Sequence, residues 1–132
     1  MQKADAKVSI LNTTKGNSLL LGLPFSAIKK AVLGEKYELS ITIIGEKRSR
    51  ALNKKWRQKD KPANVLSFPL SKQTGEIFLA PAVAKRQAKK FGKTLKEFLV
   101  LLFIHGLLHL KGMEHGSRME QREKRLQKKF HI

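Results

Sequence analysis

The chain has 132 residues, 41% of them apolar, with no cysteine and with 28 lysines and arginines against 10 acids, a net charge of +18. That length fits one domain, able to bury most of its apolar surface without a covalent or metal staple, and the missing thiol excludes disulfides and all thiolate chemistry. The charge excess costs self-repulsion that a polyanion would offset, so nucleic acid is the first expectation for a partner and an anionic membrane the second.

The opening MQKADAKVSI lacks the apolar stretch of a secretory signal, so a soluble cytoplasmic protein is expected. Residues 7–11 alternate and predict a strand, and residues 13–22 a loop. Pro24 opens a short helix that runs to Leu33 and stops at Gly34. ELSITII, residues 38–44, is β-branched and predicts a second strand. Residues 46–56 have helical composition, and VLSF (65–68) and EIFL (76–79) predict two more strands around an SKQTG turn. A helix over 81–91 ends at Gly92. Thr94-Leu-Lys-Glu97 has the form of a capping box ahead of an apolar run to Leu110. That run is hydrophobic nearly all round, as a central buried helix is, and is too short for a membrane span. Ser117-Arg-Met-Glu120 is a second possible capping box, opening an amphipathic helix to about Phe130. No repeat or linker divides the chain, so residues 1–132 are expected to form a single α/β domain: a small mixed sheet of about four strands covered by helices.

The basic residues fall in three groups, at 47–61, 85–96 and 118–129, each interleaved with apolar positions. They therefore belong to folded elements and not to a disordered tail.

HGLLHLKGMEH, residues 105–115, holds three of the four histidines. His105 and His109 are four apart, which on a helix puts both imidazoles on one face, one turn apart. Gly112 ends the helix, and His115 follows closely enough for the turn to bring it back. Three neutral imidazoles suit Zn²⁺, with Ni²⁺ and Cu²⁺ competing on affinity. Three protein ligands leave a position open for an acidified water. Unmatched imidazoles on a buried helix would cost desolvation, which weighs against a purely structural explanation. His131, near the end of the last helix, is expected to be exposed. The zinc-protease motif H-E-x-x-H has its general base where Gly106 stands here, which counts against a peptidase. A glycine there would also leave room beside the metal for a bulky substrate.

The same eleven residues resemble the H-G-x-L-H-L-x-G-x-D-H signature of the YbeY family of bacterial metal-dependent endoribonucleases. LNKKWRQKDKPANVLSFP, residues 52–69, is similar to that family's L-N-x-x-[YFW]-R-x-x-D-x-P-T-D-V-L-S-F-P segment. GEIFLA at 75–80 and the closing Met119, Glu123 and Leu126 also agree, so the resemblance runs from about Leu39 to the end. It implies cleavage of single-stranded RNA, with roles in 16S ribosomal RNA 3′-end maturation and ribosome quality control. It implies one zinc per chain, held by His105, His109 and His115. It places Arg57 in the active-site groove as a residue needed for activity. The partners it implies are single-stranded RNA, the ribosomal subunit, and a ribosomal protein or ribosome-associated GTPase. A guanidinium suits that place, because it holds phosphate bidentately and stabilises charge developing at phosphorus. The chain departs from the family pattern at Glu114, where Asp is usual, at Ala63-Asn64, which replaces Thr-Asp, and at Glu76, another Asp position. Two other readings use the same residues: a metal-dependent hydrolase of peptides or small molecules, and a non-catalytic RNA- or ribosome-binding assembly factor with structural zinc.

Overall fold

Residues 7–15 and 22–131 are described in a computed structural model. In chain order they form β1 (Val8–Asn12), α1 (Phe25–Leu33), β2 (Glu38–Ile43), α2 (Glu46–Arg57), β3 (Val65–Ser71), β4 (Thr74–Leu79), α3 (Pro81–Ala88), α4 (Leu95–Leu110) and α5 (Ser117–Lys129). The four strands make one mixed sheet in the order β1-β2-β4-β3. β1, β2 and β4 are parallel, and β3 returns antiparallel to β4. This is the α/β arrangement that the sequence predicts. The expected loop over 13–22 lies partly outside the described residues. No helix among the described residues is long and apolar enough to cross a membrane.

The period of two in ELSITI sends Leu39, Ile41 and Ile43 to one face of β2, where they are buried with Ile77 and Leu79 of β4. On this face lie α1 and α4. The other face has a smaller core of Ile44, Leu66, Phe78, Ala80 and Val83, with Leu52 of α2 packed against it.

α4 is the centre of the molecule. Nine of its residues are buried, from Phe98 to Leu108, and it touches β3, β4, α1, α3 and α5. Complete burial of Phe103, Leu107 and Leu108 contributes on the order of 1.5–3 kcal/mol each. Its N-terminus carries the expected capping box. Thr94 Oγ1 accepts from the Glu97 amide at 3.1 Å, and Glu97 Oε1 accepts from the Thr94 amide at 2.9 Å.

Four local expectations are corrected. β3 runs through Pro69 to Ser71 instead of stopping at Phe68, because it is an edge strand of the sheet. Proline, which donates nothing to a ladder, is tolerated there. The pairing is irregular between Pro69 and Ser71, and only Lys72 and Gln73 separate the strands. The helix over 81–91 is α-helical to Ala88 and tightens into a 3₁₀ turn over Lys89–Phe91. The capping box at Ser117 does not form. Ser117 is already the first helical residue, the N-cap is Gly116, and no side chain caps the end.

Candidate metal centre

His105 and His109 project from α4 on one face, as their spacing requires, and both are half-buried. The chain then reverses through Gly112, whose φ angle of 98° favours glycine. The reversal carries His115 back to the helix. The three ring centroids lie 4.6, 4.7 and 5.0 Å apart. One nitrogen from each ring falls within a set spanning at most 4.8 Å, so the three could hold a metal ion. The arrangement is the one the sequence spacing predicts. The fourth histidine, His131, is exposed.

The hydrogen bonds fix which nitrogen faces inward. His105 Nδ1 lies 2.5 Å from Glu123 Oε2, and His109 Nδ1 lies 3.2 Å from the carbonyl oxygen of Met113. A carboxylate and a carbonyl only accept, so both Nδ1 atoms carry the proton. The two Nε2 atoms then face each other at 3.1 Å with their lone pairs inward. Two acceptors aimed at each other are repulsive unless a cation sits between them. The donor set thus fits a metal ion. Burial holds the His109 pKa below the ordinary imidazole range, and His105, His115 and the charge of Arg57 act in the same direction. The neutral form, the one that can ligate, is favoured.

Glu123 was visible in the sequence only as part of the closing pattern on α5. Its place beside His105 was not, since nothing in the amphipathic repeat singles out which acid faces α4. Neither Glu114 nor any other acid among the described residues joins the three histidines as a fourth ligand.

Gly106 lines the cleft of the histidines, and the room its missing side chain leaves is taken up by the sheet. A β-carbon there would lie 2.8 Å from Ser67 Oγ, 3.2 Å from Ile77 Cδ1 and 3.4 Å from Val65 Cγ2. The glycine lets α4 approach the sheet at β3 and β4. Ser67 Oγ donates to the Gly106 carbonyl at 3.0 Å, locking the two elements beside His105.

Arg57 closes α2 and stands on the same cleft as the histidines, a cavity of about 920 Å³ that is also lined by Asn64, Ser67, Gln87, Phe91 and Phe98. One arm of its guanidinium is held. Nη2 donates to the Ser67 carbonyl at 2.8 Å, and the group lies 5.4 Å from the Phe68 ring. None of the ion pairs among the described residues uses Arg57. The acids are largely committed elsewhere: Glu35, Glu38, Glu46 and Asp60 to surface cations, Glu97 to the α4 cap and Glu123 to His105. Little acid remains to neutralise the basic surface around the cleft.

The profile of the Endoribonuclease YbeY family matches residues 4–131, further toward the N-terminus than the motifs alone reach. A Sulfurihydrogenibium protein named endoribonuclease YbeY is 41% identical over 90 residues, covering 63% of this chain and 59% of that protein. The Aquifex aeolicus protein of the same name is 38% identical over 93 residues, covering 66% and 62%. The Persephonella marina one is 35% identical over 106 residues, covering 74% and 67%. The chain thus spans roughly three fifths to two thirds of the length of these curated relatives. A solution structure from Thermotoga maritima superposes with a TM-score of 0.63 at 27% identity, covering 90% of this chain and 85% of that one.

Proposed function

The chain belongs to the endoribonuclease YbeY family, and from that premise we propose that it is a zinc-dependent endoribonuclease that cuts single-stranded RNA. We assign it, on the motif resemblance, to the maturation of the 16S ribosomal RNA 3′ end and to ribosome quality control in the cytoplasm. A ribosomal protein or ribosome-associated GTPase would be its protein partner. The observation that carries the reading is the convergence of three imidazole nitrogens, two with their outer nitrogens held, on a cleft shared with Arg57.

In this reading His105, His109 and His115 hold one zinc. When bound, zinc supplies a Lewis acid for a phosphoryl oxygen or acidifies a water. Everything else comes from the chain. Glu123 fixes the orientation and tautomer of His105, and the Met113 carbonyl does the same for His109. Arg57, with one arm tied to Ser67, offers its remaining N–H groups to the scissile phosphate. Surface lysines and arginines hold flanking phosphates, so binding should weaken steeply with salt.

The two rival readings are less well supported. A peptidase would need its base at position 106, and that position holds a glycine whose Cβ site is taken up by Ser67, Ile77 and Val65 of the sheet. A structural zinc is usually closed by four ligands, and among the described residues only three converge.

The test is cleavage of a labelled single-stranded RNA by purified protein, as isolated, after chelation and after return of zinc. Cutting should vanish and come back. Cleavage that survives chelation sinks the reading, and tight salt-sensitive binding without turnover favours the assembly factor.

Glu123→Gln keeps the shape of the side chain and removes its charge. Loss of that partner should weaken zinc binding by about tenfold, the lower end of the usual 10–100-fold range. Titration against a competing chelator measures it, and unchanged affinity would show that the carboxylate does not tune His105.

A further inference from the structure

We propose that the cleft contains a nucleobase subsite, in which Phe91 stacks on a base of the bound single strand and the Asn64–Gln87 amide pair meets the polar edge of that base. The inference rests on the RNA reading above and deepens it.

Phe91 is 62% exposed, an unusual state for so large an apolar ring, while Phe98 beneath it is 4% exposed. Their rings are stacked, with centroids 5.3 Å apart and an angle of 18° between planes. Phe91 is held by the 3₁₀ turn Lys89–Phe91, which closes at Gly92 in the left-handed conformation. One face of the ring is therefore supported from below. Both phenylalanines line the cleft with the histidines. Phe98 lies seven residues before His105 on α4, hence two turns or about 10 Å away on the same face. A short length of extended strand covers that distance.

The amide pair supplies what a bare ring lacks. Asn64 Nδ2 donates to Gln87 Oε1 at 2.6 Å, and both side chains line the cleft. Each amide spends one group on the other. Whichever way the amides are oriented, the pair keeps one carbonyl oxygen and one NH₂ that this bond does not use. An acceptor and a donor on one wall of the cleft suit the polar edge of a base, which carries both. Lys90, on the same cleft, can take a neighbouring phosphate. A base inside a duplex has both faces stacked and its edge paired, so the subsite favours unpaired RNA.

The test compares binding of two labelled oligomers of equal length by fluorescence anisotropy: an intact single-stranded RNA and a ribose-phosphate strand without bases. Phe91→Ala should weaken binding of the intact RNA by about five- to a hundredfold, the range for one base–aromatic stack. It should leave binding of the base-free strand unchanged. Asn64→Ala should show the same selectivity with a smaller effect, and Phe91→Trp should restore binding. Equal weakening of both oligomers, or none, by Phe91→Ala overturns the subsite. If wild type binds the RNA well and Phe91→Ala behaves like it, only the subsite falls. If wild type binds no single-stranded RNA, the RNA reading falls with it.

Discussion

His109→Ala is expected to remove metal and RNA cleavage together. Its ring is the middle member of the set, 4.6 Å from His105 and 4.7 Å from His115 between centroids. Its Nε2 opposes that of His105 at 3.1 Å, and its Nδ1 is turned outward to Met113. Without it two nitrogens remain, one of them on the exposed His115, and two imidazoles do not hold a divalent ion at ordinary free-zinc levels. Zinc measured by mass spectrometry should fall from one per chain to near none. Metal assistance at a phosphoryl group is worth several kcal/mol of barrier, so cleavage should fall at least about a thousandfold. The fold should survive, because His109 is only half-buried and the apolar residues of α4 carry its packing. An unchanged circular dichroism spectrum beside lost zinc would separate the site from the scaffold. If His109→Ala still cuts RNA like wild type, the metal has no part in the reaction.

Much of this site could be read from periodicity alone. The spacing of His105 and His109 is one helical turn, and a helix has no choice but to bring such residues to one face. Gly112 marks the turn that returns His115. The capping box of α4 and the buried strand patterns of β2 and β4 were legible for the same reason: each is a local rule acting over a few residues. What failed to show was set by contacts distant in sequence. Gly106 signals a close approach, but only the sheet reveals that Ser67, Ile77 and Val65 are what approaches. Ser67 reads as an ordinary strand position in VLSF. It is buried, bonds to the Gly106 carbonyl through its hydroxyl, and offers its own carbonyl to Arg57. Pro69 looked like the end of β3 because its tolerance depends on the strand being at an edge, which is a property of the whole sheet. Arg57 is the extreme case: composition makes it one of eight cations over residues 47–61, and only the motif resemblance singles it out.

The second large effect is expected at that arginine, and it separates charge placement from metal binding. Arg57 ends α2, where Gln58 turns the chain in the left-handed conformation. One arm of the guanidinium is fixed on the Ser67 carbonyl, and Ser67 is in turn bonded to the Gly106 carbonyl beside His105. A chain of two hydrogen bonds therefore ties the cation to the histidine helix. A group so pre-positioned loses little reorganisation energy when charge builds on a phosphate oxygen. Removing one such donor typically costs about 10²–10³ in kcat. Arg57→Ala should show that loss with zinc still at one per chain, since no ligand is touched. Its KM should change less than its kcat, because in the proposed reading many other cations would hold the strand. Arg57→Lys should recover only part of the rate: an ammonium keeps the charge but has no planar fork to bond Ser67 and a phosphate together. Full activity in Arg57→Ala would return this residue to the general basic surface. Loss of zinc in the same variant would mean that it supports the site and takes no part in the reaction.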